Sequence, residues 1–172
     1  TTTTTSTSTS TSLFKKWDPV DTLQKVFDDI HSNNVTAPSS RFITRMIPLQ
    51  ATCFVSKEEI QHVSRQLFAP YVAMEEKEKE SADDTVTSFA VSLKRRNCGH
   101  FKSQEVISMV AAEAPKVWKV DLGKPDYTVI VEICRTLCGI SIVKNSPERF
   151  GNFNIMELRE KVTDNNSEDG DK

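Results

Sequence analysis

Phe89 to Ser103 reads FAVSLKRRNCGHFKS. Phe89, Val91 and Leu93 alternate with Ala90, Ser92 and Lys94, the period-two pattern of a strand with one apolar face. The strand runs straight into a basic, glycine-containing turn. Ser103 then opens a helical pattern with Val106, Ile107, Val110 and Ala111 on one side. Lys94, Arg95, Arg96, His100 and Lys102 therefore crowd between a strand end and a helix start, where backbone N–H groups add to the positive field. Such a junction suits phosphate and recognises it without needing a reaction.

The flanking segments extend this unit in both directions. On the N-terminal side, Arg41 to Leu49 predicts a strand whose regular pairing Pro48 limits. Ser56 and Glu59 form a capping box. Ile60, Val63, Leu67 and Phe68 continue it as a helical stripe expected to stop near Pro70. Met74 to Thr85 is a charged run, read as a solvated loop or a helical extension. On the C-terminal side, Pro115 ends the helix and Gly123 with Pro125 marks a loop. Tyr127 to Cys134 (YTVIVEIC) is almost continuously apolar, as in a strand covered on both faces, and Leu137 to Lys144 follows closely enough to be its antiparallel neighbour. The order β-α-β-α-β-β predicts a layered α/β domain, its sheet largely parallel with an antiparallel strand at or near one edge.

Further out, Val20, Leu23, Phe27 and Ile30 recur at helical spacing after Asp18 and Pro19, predicting an amphipathic helix over 18–31 that precedes the domain. Thr1 to Ser12 contains only Thr and Ser and is expected to be disordered, as part of a tail over 1–17. A linker is expected over 32–40, the main domain over 41–161 with a closing helix at Ile155, Leu158 and Val162, and a mobile acidic tail over 162–172.

The 172 residues carry a formal charge of −2, but that average hides a difference between segments. Arg41 to Lys161 holds 18 Lys and Arg against 16 Asp and Glu, and 16 against 10 once Met74–Thr85 is set aside, so the expected domain is net basic. Cys53, Cys98, Cys134 and Cys138 form no CxxC pair, and no apolar signal or spanning run accompanies them, which points to a reducing, intracellular compartment and no membrane role. Cys98, two residues before His100 in a cationic loop, is a candidate nucleophile with no evident orienting group. Phe101, Trp118 and Tyr127 are aromatic candidates for base stacking or for core, with core favoured.

Four stretches, Arg45-Met-Ile-Pro-Leu-Gln-Ala-Thr-Cys53, Lys94-Arg-Arg-Asn-Cys-Gly-His100, Val120 to Ile133 and Ile140-Ser-Ile-Val143, occur in the order of a THUMP domain. The chain resembles that family over about 41–161, and within it the eukaryotic THUMP adaptors that assist N4-acetylcytidine formation in tRNA. The resemblance implies an RNA-binding adaptor without catalytic residues, metal or cofactor, engaging the tRNA acceptor stem and 3′ end. It implies a separate RNA cytidine acetyltransferase as partner and a nuclear, nucleolar or cytoplasmic setting. Carried over with it as RNA-binding residues are Arg45, Lys94, Arg95, Arg96, Asn97, His100 and Lys102. Acetyl-CoA and ATP would belong to the partner, since no GxxxxGK[ST] loop is present. The alternative is a protein-interaction module that docks through the 19–30 helix, with the basic turn incidental.

Overall fold

The computed structural model describes residues 17–32, 42–78, 86–99, 101–144 and 153–155. The Thr/Ser tract, the 33–40 linker, His100 and the acidic tail lie outside them, as does the closing helix apart from Ile155. The elements in chain order are α1 (Pro19–His31), β1 (Ala51–Phe54), α2 (Lys57–Glu78), β2 (Ser88–Arg96), α3 (Ser103–Ala111), β3 (Lys119–Val120), β4 (Tyr127–Cys134) and β5 (Leu137–Lys144). Five strands form one sheet in the order β1-β5-β4-β2-β3. β2 pairs in parallel with both β4 and β3, and β5 runs antiparallel to both β4 and β1. Four strands thus point one way and β5 alone opposes them, one position in from the edge, as the short β4–β5 connection predicts.

α2 and α3 cover one face. Ile60, Val63, Ser64, Leu67, Phe68 and Tyr71 follow the helical period and face a core that includes Phe89, Val106, Val110, Val129, Val131, Ile133 and Ile140. The capping box supplies its serine half, since the Glu59 N–H donates to Ser56 Oγ at 3.2 Å. The helix does not stop near Pro70. It runs on to Glu78 with Pro70 inside it, taking in the start of the charged run. Pro70 is exposed and costs one backbone hydrogen bond, while the next turn is held by Tyr71, which sits edge-on to both Trp118 and Tyr127 at 5.4 Å. Trp118 and Tyr127 stack on each other at 4.7 Å, so both serve this aromatic cluster.

The first ladder also begins later than the sequence pattern predicts. Residues 43–49 are extended with a single bridge, Arg45 to Asn154, and pairing with β5 starts at Gln50, whose N–H donates to the Ile140 carbonyl. Pro48, without an N–H, is buried just before that point, and Met46 and Ile47 are drawn instead into a second apolar cluster.

That second cluster is where α1 packs. Leu23, Phe27 and Ile30 are buried against Ile130, Val143, Phe153 and Ile155, with the Phe27 and Phe153 rings 6.0 Å apart. Asp18 caps the helix, its Oδ1 accepting from the Val20 N–H at 2.7 Å. Its other oxygen accepts from Gln50 Nε2 at 2.8 Å, and Gln50 Oε1 accepts from the Ile142 N–H at 2.8 Å. One side chain thus satisfies a β5 amide past the end of β1 and ties the helix cap to the sheet. Among the described residues, α1 covers the end of this face near Ile130 and Val143 and leaves Phe54 and Leu137 at the other end exposed.

Candidate nucleic-acid interface

Because β1, β2 and β4 run the same way, their carboxyl ends lie along one edge, and three connections meet there: residues 55–56, 97–102 and 135–136. Backbone hydrogen bonds join them. The Val55 N–H donates to the Thr136 carbonyl at 2.9 Å, and the Arg135 N–H donates to the Arg96 carbonyl at 3.0 Å.

Within the basic stretch the pleat separates the cations. Arg95 shares the helix-covered face, and its guanidinium donates to the Phe101 carbonyl, bracing the turn against its own strand. Lys94 and Arg96 point to the opposite, open face and are exposed. Asn97 turns the chain at φ 52°, a left-handed conformation that asparagine tolerates better than most residues, and its side chain is exposed. Cys98 and Phe101 are half-buried against the helix-side core, which settles Phe101 as packing. Lys102 is the N-cap of α3, exposed and making no side-chain capping bond. Lys57, at the start of α2, reaches Glu105 in the first turn of α3 at 2.6 Å, and that carboxylate raises its pKa.

Of the residues carried over from the sequence, Lys94, Arg95, Arg96, Asn97 and Lys102 are brought together at this edge. Arg45 is not among them: it is exposed on the segment bridged to Asn154, in the layer that holds α1. His100 lies outside the described residues. The residue that sequence reasoning missed is Arg135. It occupies the two-residue β4–β5 turn at φ 55° and sits beside Arg96 because Cys134 and Arg96 are register partners. Aligning the ends of the 88–96 and 127–134 runs in parallel would have found it. Among the described residues, no carboxylate lies within salt-bridge distance of Lys94, Arg96, Lys102 or Arg135.

Glu132 is half-buried and in register with Lys94 on the open face. The thiols offer little chemistry. Burial pushes Cys138 up to about 12, and burial also raises Cys53, its neighbour across the β1–β5 pair. In native protein at mildly alkaline pH, iodoacetamide should label exposed Cys134 first and reach Cys53 and Cys138 only after denaturation; mass spectrometry finding Cys138 modified as fast as Cys134 would contradict this assignment. Among the described residues, no group of three or more His, Cys, Asp or Glu is placed to hold a metal, and no helix is long and apolar enough to cross a membrane.

The THUMP domain profile matches residues 56–143, from the start of α2 to the end of β5, with the basic turn in its middle. The chain belongs to the THUMP domain family. This domain is typically an RNA-binding domain of tRNA-modifying proteins. The chain is 27% identical over 150 residues to THUMP domain-containing protein 1 of Bos taurus, covering 86% of this chain and 39% of that protein. It is 26% identical over 157 residues to the Drosophila melanogaster THUMP domain-containing protein 1 homolog, covering 90% of this chain and 44% of the other. It thus spans about two fifths of the length of these curated relatives. The solution structure of the THUMP domain of THUMP domain-containing protein 1 is 29% identical and covers 52% of this chain and 89% of that one, with a TM-score of 0.34.

Proposed function

We propose that this THUMP chain is a tRNA-binding adaptor that presents tRNA to a separate RNA cytidine acetyltransferase for N4-acetylcytidine formation. The observation that carries the reading is the edge where Lys94 and Arg96 at the end of β2, Lys102 in the turn that follows and Arg135 in the β4–β5 turn lie without acidic partners among the described residues. Phosphates of an acceptor stem and 3′ end suit such an edge. Arg96 and Arg135 fork onto phosphate oxygens, Lys94 and Lys102 add less directional charge, and Asn97 reaches a ribose hydroxyl or base edge. Arg95 braces the turn from behind. No catalytic step is assigned to this chain; acetyl-CoA and ATP belong to the partner, and the work takes place inside the cell, in the nucleus, nucleolus or cytoplasm.

The competing reading, a module docking other proteins through the 19–30 helix, needs the apolar stripe of α1 free. Leu23, Phe27 and Ile30 are instead buried in the chain's own second cluster.

The test is fluorescence anisotropy of labelled tRNA titrated with the chain at two salt concentrations, with and without the 3′-CCA. Binding that weakens steeply with salt and is reduced by trimming is the expected result. Absence of tRNA binding both alone and with the acetyltransferase added would sink the reading.

A further inference from the structure

We propose that Phe54 and Leu137 form a stacking platform for an unpaired nucleotide of the bound RNA, with Arg96 and Arg135 on the phosphates beside it. The proposal rests on the tRNA-binding reading and adds to it a contact that phosphate recognition does not require. Phe54 pairs in register with Leu137, Leu137 with Cys134, and Cys134 with Arg96. Register partners share a face, so these four side chains form one row across four strands on the open face, about 14 Å long at the usual strand spacing. Phe54 is 68% exposed and Leu137 56% exposed, although both stand beside the sheet's core strands. Behind the row, Leu49 lies over Gly139, so close that a Cβ there would sit 2.6 Å from its Cδ1. α1 covers only the far end of the face, at Ile130 and Val143. Among the described residues the row is therefore a shelf, closed on one side by Leu49 and exposed toward the end of β2.

Charge decides the occupant. Lys94, Arg96 and Arg135 border the shelf, while Glu132 is the acid within the face and is half-buried. An apolar protein segment seated there would have to desolvate Arg96 and Arg135, which have no acidic partner among the described residues. A nucleotide brings an apolar ring for Phe54 and a negative phosphate for Arg96 or Arg135, and an exposed aromatic with cations alongside is how single-stranded nucleic acid is held without sequence readout.

The test compares two labelled RNA hairpins, one blunt and one carrying a single-stranded overhang, against the chain and its Phe54→Ala and Phe54→Trp variants. Phe54→Ala should weaken the overhang hairpin about ten-fold while leaving the blunt hairpin and the salt slope unchanged, and Phe54→Trp should retain binding. Unaltered overhang binding in Phe54→Ala would overturn the platform and leave the tRNA reading standing. Equal weakening of both hairpins would overturn it as well. Self-association that Phe54→Ala abolishes, with RNA binding unaffected, would mark the shelf as a protein interface. If the unmodified chain binds neither hairpin nor tRNA, alone and with the acetyltransferase added, the adaptor reading fails and the platform with it.

Discussion

Arg96→Ala combined with Arg135→Gly is expected to lower tRNA affinity by roughly thirty-fold and to reduce the slope of log affinity against log salt by about 2, one for each phosphate contact removed. The pair is chosen for position. The Arg135 N–H donates to the Arg96 carbonyl, so the two guanidinium groups leave adjacent backbone sites, and no carboxylate among the described residues competes for either. Glycine suits position 135 because the backbone there has φ 55°, which costs an ordinary residue energy and costs glycine nothing. The melting temperature should consequently hold or rise while binding falls, which separates lost contact from lost fold. Lys124→Ala serves as the control, since Lys124 is exposed at the opposite end of the sheet, just before β4 begins. Arg95→Ala should behave differently from Arg96→Ala. Its guanidinium is engaged by the Phe101 carbonyl, so its removal loosens the 97–102 turn and speeds amide exchange there. Affinity and salt slope unchanged in the double variant would remove this edge as the RNA site.

Phe27→Ala should destabilise the chain by about 3–5 kcal/mol and lower its melting temperature by about 10 °C. Phe27 is 2% exposed, its ring lies 6.0 Å from that of Phe153, and an apolar gap lined by Leu23, Pro48 and Val143 already adjoins it. Deleting the ring enlarges that gap, and little can collapse to fill it because β4 and β5 hold the floor at Ile130 and Val143. The measurement also weighs the two functional readings. A helix kept for an outside partner would tolerate the change in the isolated chain, whereas a helix that belongs to the core cannot. Thermal unfolding unaltered by Phe27→Ala would return the 19–30 stripe to the list of docking surfaces.

How far the sequence could be read depended on the range of each interaction. The 89–103 stretch was legible because alternation, a run of cations and a helical stripe are local signals, and the structure places β2, the turn and α3 where they predict. The two apolar runs of β4 and β5 were legible for the same reason, as was the capped stripe that begins α2. Pro70 misled because the exchange of one hydrogen bond for an aromatic cluster depends on Trp118 and Tyr127, more than 45 residues away. The strand expected over 41–49 shifted because Pro48 and the pull of the second cluster on Met46 and Ile47 outweigh the local β pattern.

The candidate site divides in the same way. The sequence by itself determined that a basic, glycine-containing turn joins a strand to a helix, hence that cations and helix-start amides share one place. Alternation along the strand already separates Arg95 from Lys94 and Arg96. Only the tertiary structure decided that α2 and α3 cover the Arg95 face, where its guanidinium braces the Phe101 carbonyl, and leave Lys94 and Arg96 exposed on the other. Arg135 joins them because parallel pairing aligns the ends of β2 and β4, and Phe54 and Leu137 line up beside Arg96 because β5 runs backwards between β1 and β4. Those residues are separated by 39 to 83 positions along the chain and by one to three strand spacings in space, and only tertiary structure converts the one distance into the other.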